Sequence, residues 1–468
     1  MSARTAGKSE EALASRLEEL WHCRQDAWAT LSNGWNFPVQ SPEFRHWLVG
    51  ECVRLGQSTK KGQIDALVEV YAATALYEGV EHQLHLRTAD GDGSVYIDLV
   101  DQVGQAVHVS KEGWRVLPRA PVKFYRPPNM KPLPEPLQEE ADASLLQDML
   151  NLPEESEFRL LLTACSFALL PGKPYPIIVF DGQAGAAKTS AARIVRNTLD
   201  PNEVPVSGMP RGQDLVSCAK NNAVIVLDNL SVLPAALQDD LCRLATGGGL
   251  GGRKLYTNDS DASFNASRPV ILTGITNLAT RGDLADRALP FHLAEVITRK
   301  TDAEIREGFS YAHPRVFAGL LDIMVVGLRR LEEVQRARRP LGRMADFTQW
   351  GYAVAPAIGW AEDDFRLAYR AIRREASQNV IESDPVAAGI VALVRGAEGK
   401  GRPWRGLQTA LWGQLVGLAG DAAKAPGFPK SPEGLGWALK RVIPVLGDRG
   451  IRVTQKRRAA GMWVEIEP

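Results

Sequence analysis

A chain of 468 residues exceeds what one hydrophobic core usually organises, so two to four domains are expected. With 45% hydrophobic and 24% charged residues the composition is globular, and 55 basic against 55 acidic residues exclude a uniformly basic nucleic-acid coat. Cys23, Cys52, Cys165, Cys218 and Cys242 form no C-x-x-C pair, and the seven histidines no metal-spaced cluster, so no disulfide framework or zinc site is expected.

No uninterrupted apolar run is long enough to span a bilayer, and the N-terminus turns acidic where a signal peptide would be apolar. A cytoplasmic protein without a membrane partner is therefore expected. In chain order, residues 9–31 read as one helix, with Leu13, Leu17, Leu20, Trp21 and Trp28 near helical spacing. Ser41-Pro42-Glu43 marks the start of a second helix, and a third covers about 62–78. These make 1–79 a helical N-terminal region. Short strand-like runs between Gly and Asp turns make 80–125 a small antiparallel unit, and proline-rich 126–142 a linker.

Residues 143–300 change texture. YPIIVF (175–180), AVIVLD (223–228) and PVILTGI (269–275) are continuous apolar runs that alternate with helical segments, the pattern of a doubly wound α/β sheet. Residues 301–383 read as all-helical. Residues 384–468 carry helices near 384–396, 406–418 and 431–446, then two strand-like runs, a pattern that suggests a winged helix.

The chemistry concentrates after the first buried strand. Gly182, Gln183, Ala184, Gly185, Ala186, Ala187, Lys188, Thr189 and Ser190 approximate G-x-x-x-x-G-K-[ST], with Ala187 in place of the second glycine. Gly182 and Gly185 let backbone N–H groups turn toward phosphate oxygens at a helix N-terminus, Lys188 reaches the β/γ-phosphates, and the Thr189 hydroxyl ligates Mg²⁺. Ala187 fits this scheme if its backbone keeps ordinary helical angles. Asp228 ends the second buried strand and is expected to hold the same Mg²⁺. Asn229 follows, where many ATPases carry a catalytic Glu; it can orient water but not take its proton. ATP and Mg²⁺ are the expected cofactors, with Lys188, Asp228 and Asn229 at the catalytic centre.

These residues and their surroundings resemble the AAA+ helicase-like ATPases of prophages and integrated genetic islands, close to superfamily 3 helicases and similar to MCM. The resemblance runs from about residue 35 to the end, through WRVLPRAPVKFYRPPNMKPLPEP, DGQAGAAKTSAARIVRNTLDP, VLDNLSVLPAALQDDLCRLATGGG, GRKLYTNDSDASFNASRPVILTGI and TRGDLADRAL. It implies an α/β P-loop AAA+ core with a helical and small β N-terminal region, a helical lid over 301–383 and a C-terminal winged helix at 384–468. GRKLYTNDSDASFNAS has the form of the hairpin such helicases push into the DNA channel, with Arg253 and Lys254 at its base and Asn258 and Ser260 at its acidic tip. Thr273 or Asn277 would sense the γ-phosphate. Arg287, with Arg281 in reserve, would be an arginine finger for the neighbouring subunit, and Arg343 a second phosphate-sensing arginine. The C-terminal unit counts 13 Lys/Arg against 7 Asp/Glu. Lys440, Arg441, Lys456, Arg457 and Arg458 would meet DNA phosphates there, or be merely solvated on a protein-interaction module.

Two functions follow. One is a ring-forming, hexameric helicase that translocates on single-stranded or forked DNA as a mobile element replicates, with a separate primase or initiator as partner. The other is an ATP-dependent origin-binding initiator or helicase loader without unwinding activity. A metabolic kinase is disfavoured, because no small-molecule acceptor site is visible.

Overall fold

The computed structural model describes residues 16–210, 214–252, 262–264, 267–274, 278, 282–395, 402–424, 428–447, 449–459 and 461–468. Residues 17–31 form not a helix but a hairpin, β1 (Leu17–Cys23) and β2 (Asp26–Leu31), extended by β3 (Asn36–Pro38). Residues 9–15 of the expected helix lie outside the described residues. The reason for the hairpin is the polar run at 22–26, which turns with Arg24 at φ 56°. Trp21 and Trp28 then become direct cross-strand partners, stacked at 5.5 Å and both buried. Helix α1 (Pro42–Arg54) starts as expected, with the Ser41 hydroxyl accepting from the Phe44 N–H and Pro42 in the first turn. Helix α2 (Lys61–Tyr77) packs on the hairpin.

Next comes a four-stranded antiparallel meander: β4 (Thr88–Gly91), β5 (Ser94–Asp98), β6 (Ala106–Ser110) and β7 (Gly113–Leu117). The proline-rich stretch that follows has little regular structure but is pinned. Arg126 bonds both Asp98 carboxylate oxygens, Lys131 N donates to Pro201 O, and Leu133 N donates to Leu99 O.

After α3 (Glu155–Ala168) the chain enters a mixed α/β region around a parallel sheet. Its members in chain order are β8 (Ile177–Asp181), α4 (Lys188–Leu199), α5 (Asp214–Asn221), β9 (Ile225–Leu230), α6 (Ala235–Thr246), the antiparallel pair β10 (Leu250–Gly252) and β11 (Ala262–Phe264), then β12 (Val270–Gly274) and β13 (Ala288–His292). The sheet order is β9–β12–β8–β13, every pairing parallel. Alternation explains how both faces are covered. Ile178 and Phe180 join one core with the meander and α3, whereas Ile177 and Val179 join another with α5 and α6.

Three long helices follow: α7 (Asp302–Arg336), α8 (Ala345–Val354) and α9 (Glu362–Ser383). By length and composition α7 could cross a membrane, but two thirds of its apolar window is buried inside the structure. Gly351 on α8 lets the Phe365 ring come so close that an added Cβ would sit 2.0 Å from it. The last unit is α10 (Pro385–Arg395), β14 (Trp404–Leu407), α11 (Gln408–Ala419), α12 (Pro432–Gly447), β15 (Arg452–Arg458) and β16 (Gly461–Glu467). Its strands form an antiparallel sheet in the order β14–β16–β15 around a separate core.

One buried carboxylate ties the meander to the parallel sheet. Asp200, just after α4, is wholly buried and accepts from Arg87 at 3.1 Å, from Arg196 at 3.3 Å, and from the N–H groups of Ala223 and Val224. Arg87 also donates to the carbonyls of Asp98 and Lys131. Replacing Asp200 by Ala strands two buried guanidinium groups, so a loss of roughly 3–5 kcal/mol is expected. The measurement is the midpoint of chemical unfolding; an unchanged midpoint would show that the pair does not hold these regions together.

Candidate functional site

The strand register decides which side chains meet. Phe180 lies beside Thr273 and Leu227 beside Leu272, so β8, β9 and β12 end at one level. The Gly182–Ala187 turn leaves the end of β8, and Asp228 lies in β9 just past the Leu227 pairing, where the register with β12 shifts before Leu230. Gly182 adopts φ 137°, and a Cβ there would lie 2.6 Å from the Leu293 carbonyl oxygen; Gly185 adopts φ 86°. Both glycines are needed for the backbone path. Gln183 and Ala184 are exposed at the turn, Ala186 is buried beneath it, and Ser190 lies in the first turn of α4.

Ala187 does not keep helical angles. It sits at φ 61°, ψ 28°, in the left-handed region, as the residue that caps α4. A glycine is the ordinary occupant of such a position, because an L-residue with a Cβ costs about 1–2 kcal/mol there. The Lys188 ammonium folds back onto the turn, donating to the carbonyls of Gly182 at 2.9 Å and Gln183 at 2.8 Å.

Three groups converge at the strand ends. The Thr189 hydroxyl donates to Asp228 at 2.9 Å, with the second carboxylate oxygen at 3.1 Å, and the Thr273 hydroxyl donates to the same carboxylate at 2.5 Å. Thr273 also accepts from the Asn229 N–H at 2.9 Å. Asn229 is exposed and left-handed, at φ 55°, which asparagine tolerates better than most residues. A cavity of about 350 Å³ opens beside Asp228 and Asn229, walled on its other side by Val206, Ser207, Gly208 and Met209. Ser207 belongs to the sheet by an isolated parallel bridge to Leu227. Nothing in the sequence around PVSGMP marked this wall; its only signal is a Ser-Gly pair between the two strands.

A second, charged cluster buttresses β8. His292 ion-pairs with Asp181, the residue before Gly182, and with Glu375 of α9, while its backbone N–H donates to Glu157 of α3 at 3.3 Å. The hydrogen bond to Asp181 holds the imidazole in its charged form up to about 9. Burial raises the carboxyls of Glu157, to about 7, and of Glu375. Among the described residues no group of three or more His, Cys, Asp and Glu is arranged to hold a metal ion. Thr189 and Asp228 nonetheless present hard oxygen donors of the kind Mg²⁺ takes.

The remaining expected residues lie apart. Arg287 precedes β13 at the other end of the sheet, since Ala288 is level with Ile177. Its guanidinium donates to the Asp283 carbonyl at 2.7 Å, and its Nε is buried without a partner. Arg343 is at the same end, 3.0 Å from Asp286 and 3.5 Å from Asp283, and not beside Lys188 of its own chain. Arg253, Lys254, Asn258, Ser260, Asn277 and Arg281 lie outside the described residues. In the C-terminal unit Lys440 is exposed over the Trp437 ring, but Arg441 is held by Asp384 at 2.6 Å. Lys456, Arg457 and Arg458 are exposed on β15, Arg458 against Trp463 and Glu465.

Comparison with known proteins gives two consecutive family matches. Residues 145–374 match the actinomycete integrative conjugative element replication protein, and residues 386–467 match the C-terminal domain of that RepA protein. No curated protein matches the chain. Among solved structures, the active helicase Cch of SCCmec type IV is 11% identical over 96% of this chain and 92% of that one, with a TM-score of 0.48. The apo C-terminal region of NrS-1 is 12% identical over 98% of each chain, with a TM-score of 0.42.

The backbone at residue 187 yields a paired test. Ala187→Gly is expected to relieve the left-handed penalty, less glycine's own entropic cost of about 0.5–1 kcal/mol, for a gain of up to about 1 kcal/mol. Ala187→Val should lose on the order of 1–3 kcal/mol. Thermal melting of the two variants beside the parent decides; equal melting of all three would contradict a left-handed residue 187.

Proposed function

We propose that this chain, matched in two consecutive regions by models of a mobile-element replication protein, is an ATP-driven, ring-forming DNA helicase. The observation that carries the proposal is the meeting of Thr189, Asp228 and Thr273 where a glycine turn delivers Lys188 to a helix N-terminus. That set fits a magnesium nucleotide. The Gly182–Ser190 backbone would cradle the phosphates, and Lys188 would leave its two carbonyls for the β/γ-phosphates. Thr189 and Asp228 would hold Mg²⁺, which supplies charge neutralisation as the γ-phosphoryl leaves. Thr273 fixes the orientation of the Asp228 carboxylate, and Asn229 is exposed where it could orient a water.

Arg287 stands at the far end of the sheet from Lys188, so a catalytic role for it requires a neighbouring subunit. A homo-oligomeric ring, a hexamer in the helicase reading, meets that requirement. Single-stranded or forked DNA is the proposed track, gripped by the 253–261 segment between β10 and β11. The C-terminal unit is read as a winged helix, which its three helices and three-stranded antiparallel sheet support, and its exposed Lys440, Lys456, Arg457 and Arg458 are the proposed phosphate contacts there. A separate primase or initiator is the proposed partner.

The expected results are specific. Lys188→Ala should abolish both ATP hydrolysis and strand displacement on a forked substrate. Arg287→Ala should bind ATP but turn it over roughly 10³–10⁵ times more slowly, and mixing the two variants should restore part of the activity. Hydrolysis without strand displacement in the parent protein would replace the helicase by the origin-binding initiator or loader. Unchanged turnover in Lys188→Ala would overturn the ATPase itself.

A further inference from the structure

A second cavity, of about 470 Å³, opens between the Pro340–Arg343 loop, α9 and Pro444 of α12. It lies near Asp286, at the start of β13 and therefore at the opposite end of the sheet from the glycine turn. Four arginines line it, Arg343, Arg366, Arg370 and Arg373, against a single carboxylate. That carboxylate is already shared. Asp286 is 4% exposed and is reached by Arg343 at 3.0 Å and by Arg373 at 2.9 Å.

The other two guanidinium groups are freer. Arg366 pairs at 2.9 Å with Asp363, which is largely exposed and lies outside the cavity. Arg370 is exposed and has no ion-pair partner among the described residues. One wall is aromatic, with the Phe365 and Tyr369 rings 5.7 Å apart and 9° from parallel. A pocket of this size holds a small organic ligand, and its surplus of planar, fork-shaped cations matches the oxygens of a phosphate group. Arg343 and Arg373 share one carboxylate and Arg370 has none among the described residues, so the lining is net positive, and a phosphate would offset that charge.

We infer that this cavity binds a phosphorylated nucleotide, either free or as one unit of a DNA strand. Arg366 and Arg370 grip the phosphate, and the apolar wall receives the base. The site is separate from the Gly182–Thr189 turn and does not depend on what that turn binds.

The test uses the full chain with Lys188→Ala in every variant, so that the glycine turn lacks its phosphate-binding ammonium, and thermal melting checks that each variant folds. Deoxyadenosine monophosphate and a short oligothymidylate are then titrated separately into the parent, into Arg366→Glu/Arg370→Glu, and into Arg366→Lys/Arg370→Lys. The glutamate pair should weaken one of the ligands by roughly tenfold or more, and the lysine pair by less, because it keeps the charge but loses the fork. Melting temperatures should be the same in all three and so confirm the fold. Loss of the mononucleotide identifies a free ligand, and loss of the oligothymidylate alone identifies a strand. If neither affinity changes in the glutamate pair, the inference is wrong.

Discussion

A carboxylate in a strand buried on both faces needs partners, and those of Asp228 come from the first turn of α4 and from the neighbouring strand β12. β8, β9 and β12 are parallel and paired as far as Phe180, Leu227 and Thr273, and β9 then breaks register before Leu230; there the first turn of α4 brings the Thr189 hydroxyl to the Asp228 carboxylate and β12 brings Thr273. A shift of one residue in β9 or β12 would turn Asp228 or Thr273 to the opposite face and dissolve the cluster. The candidate chemistry is therefore a consequence of register, which the alternating cores on the two faces of the sheet enforce.

The same sheet is braced from outside. The meander and the proline-rich stretch are locked to it through Arg87, Arg126, Asp98 and Asp200, so residues 126–136 act as a strut rather than a tether. On the other side, His292 connects the strand that feeds the glycine turn to Glu375 of α9. Any movement of α9 relative to the sheet must break or remake that ion pair beside Gly182, which gives the helical region after β13 a direct mechanical connection to the turn.

Much of this was legible in the sequence, for identifiable reasons. Short apolar runs without alternation, set between helical segments, mark strands covered twice, so β8, β9 and β12 were readable, as were Ser41-Pro42 as a helix start and the turn around Lys188. The N-terminal hairpin was not, because tryptophans seven residues apart satisfy a helical period as well as a cross-strand pairing, and the short polar run at 22–26 that turns at Arg24 would also suit the exposed face of a helix. Ala187 was readable as a departure from the glycine pattern, but its backbone conformation was not. Arg343 and Asp286 are distant in sequence and meet only through tertiary packing, so the position of Arg343 at the far end of the sheet could not be read. The wall formed by Ser207, Gly208 and Met209 was hidden for the same reason.

The central claim is that Thr189 and Asp228 share a divalent ion bound to a nucleotide. The most direct measurement is a crystal structure of the chain with Mn²⁺ and a non-hydrolysable ATP analogue, with the ion located by its anomalous scattering. The account predicts a peak at the Thr189 hydroxyl and the Asp228 carboxylate, phosphates against the Gly182–Lys188 backbone, and the Lys188 ammonium moved from its carbonyls to the phosphate oxygens. Phosphates bound elsewhere, with Lys188 still folded onto Gly182 and Gln183, would contradict it.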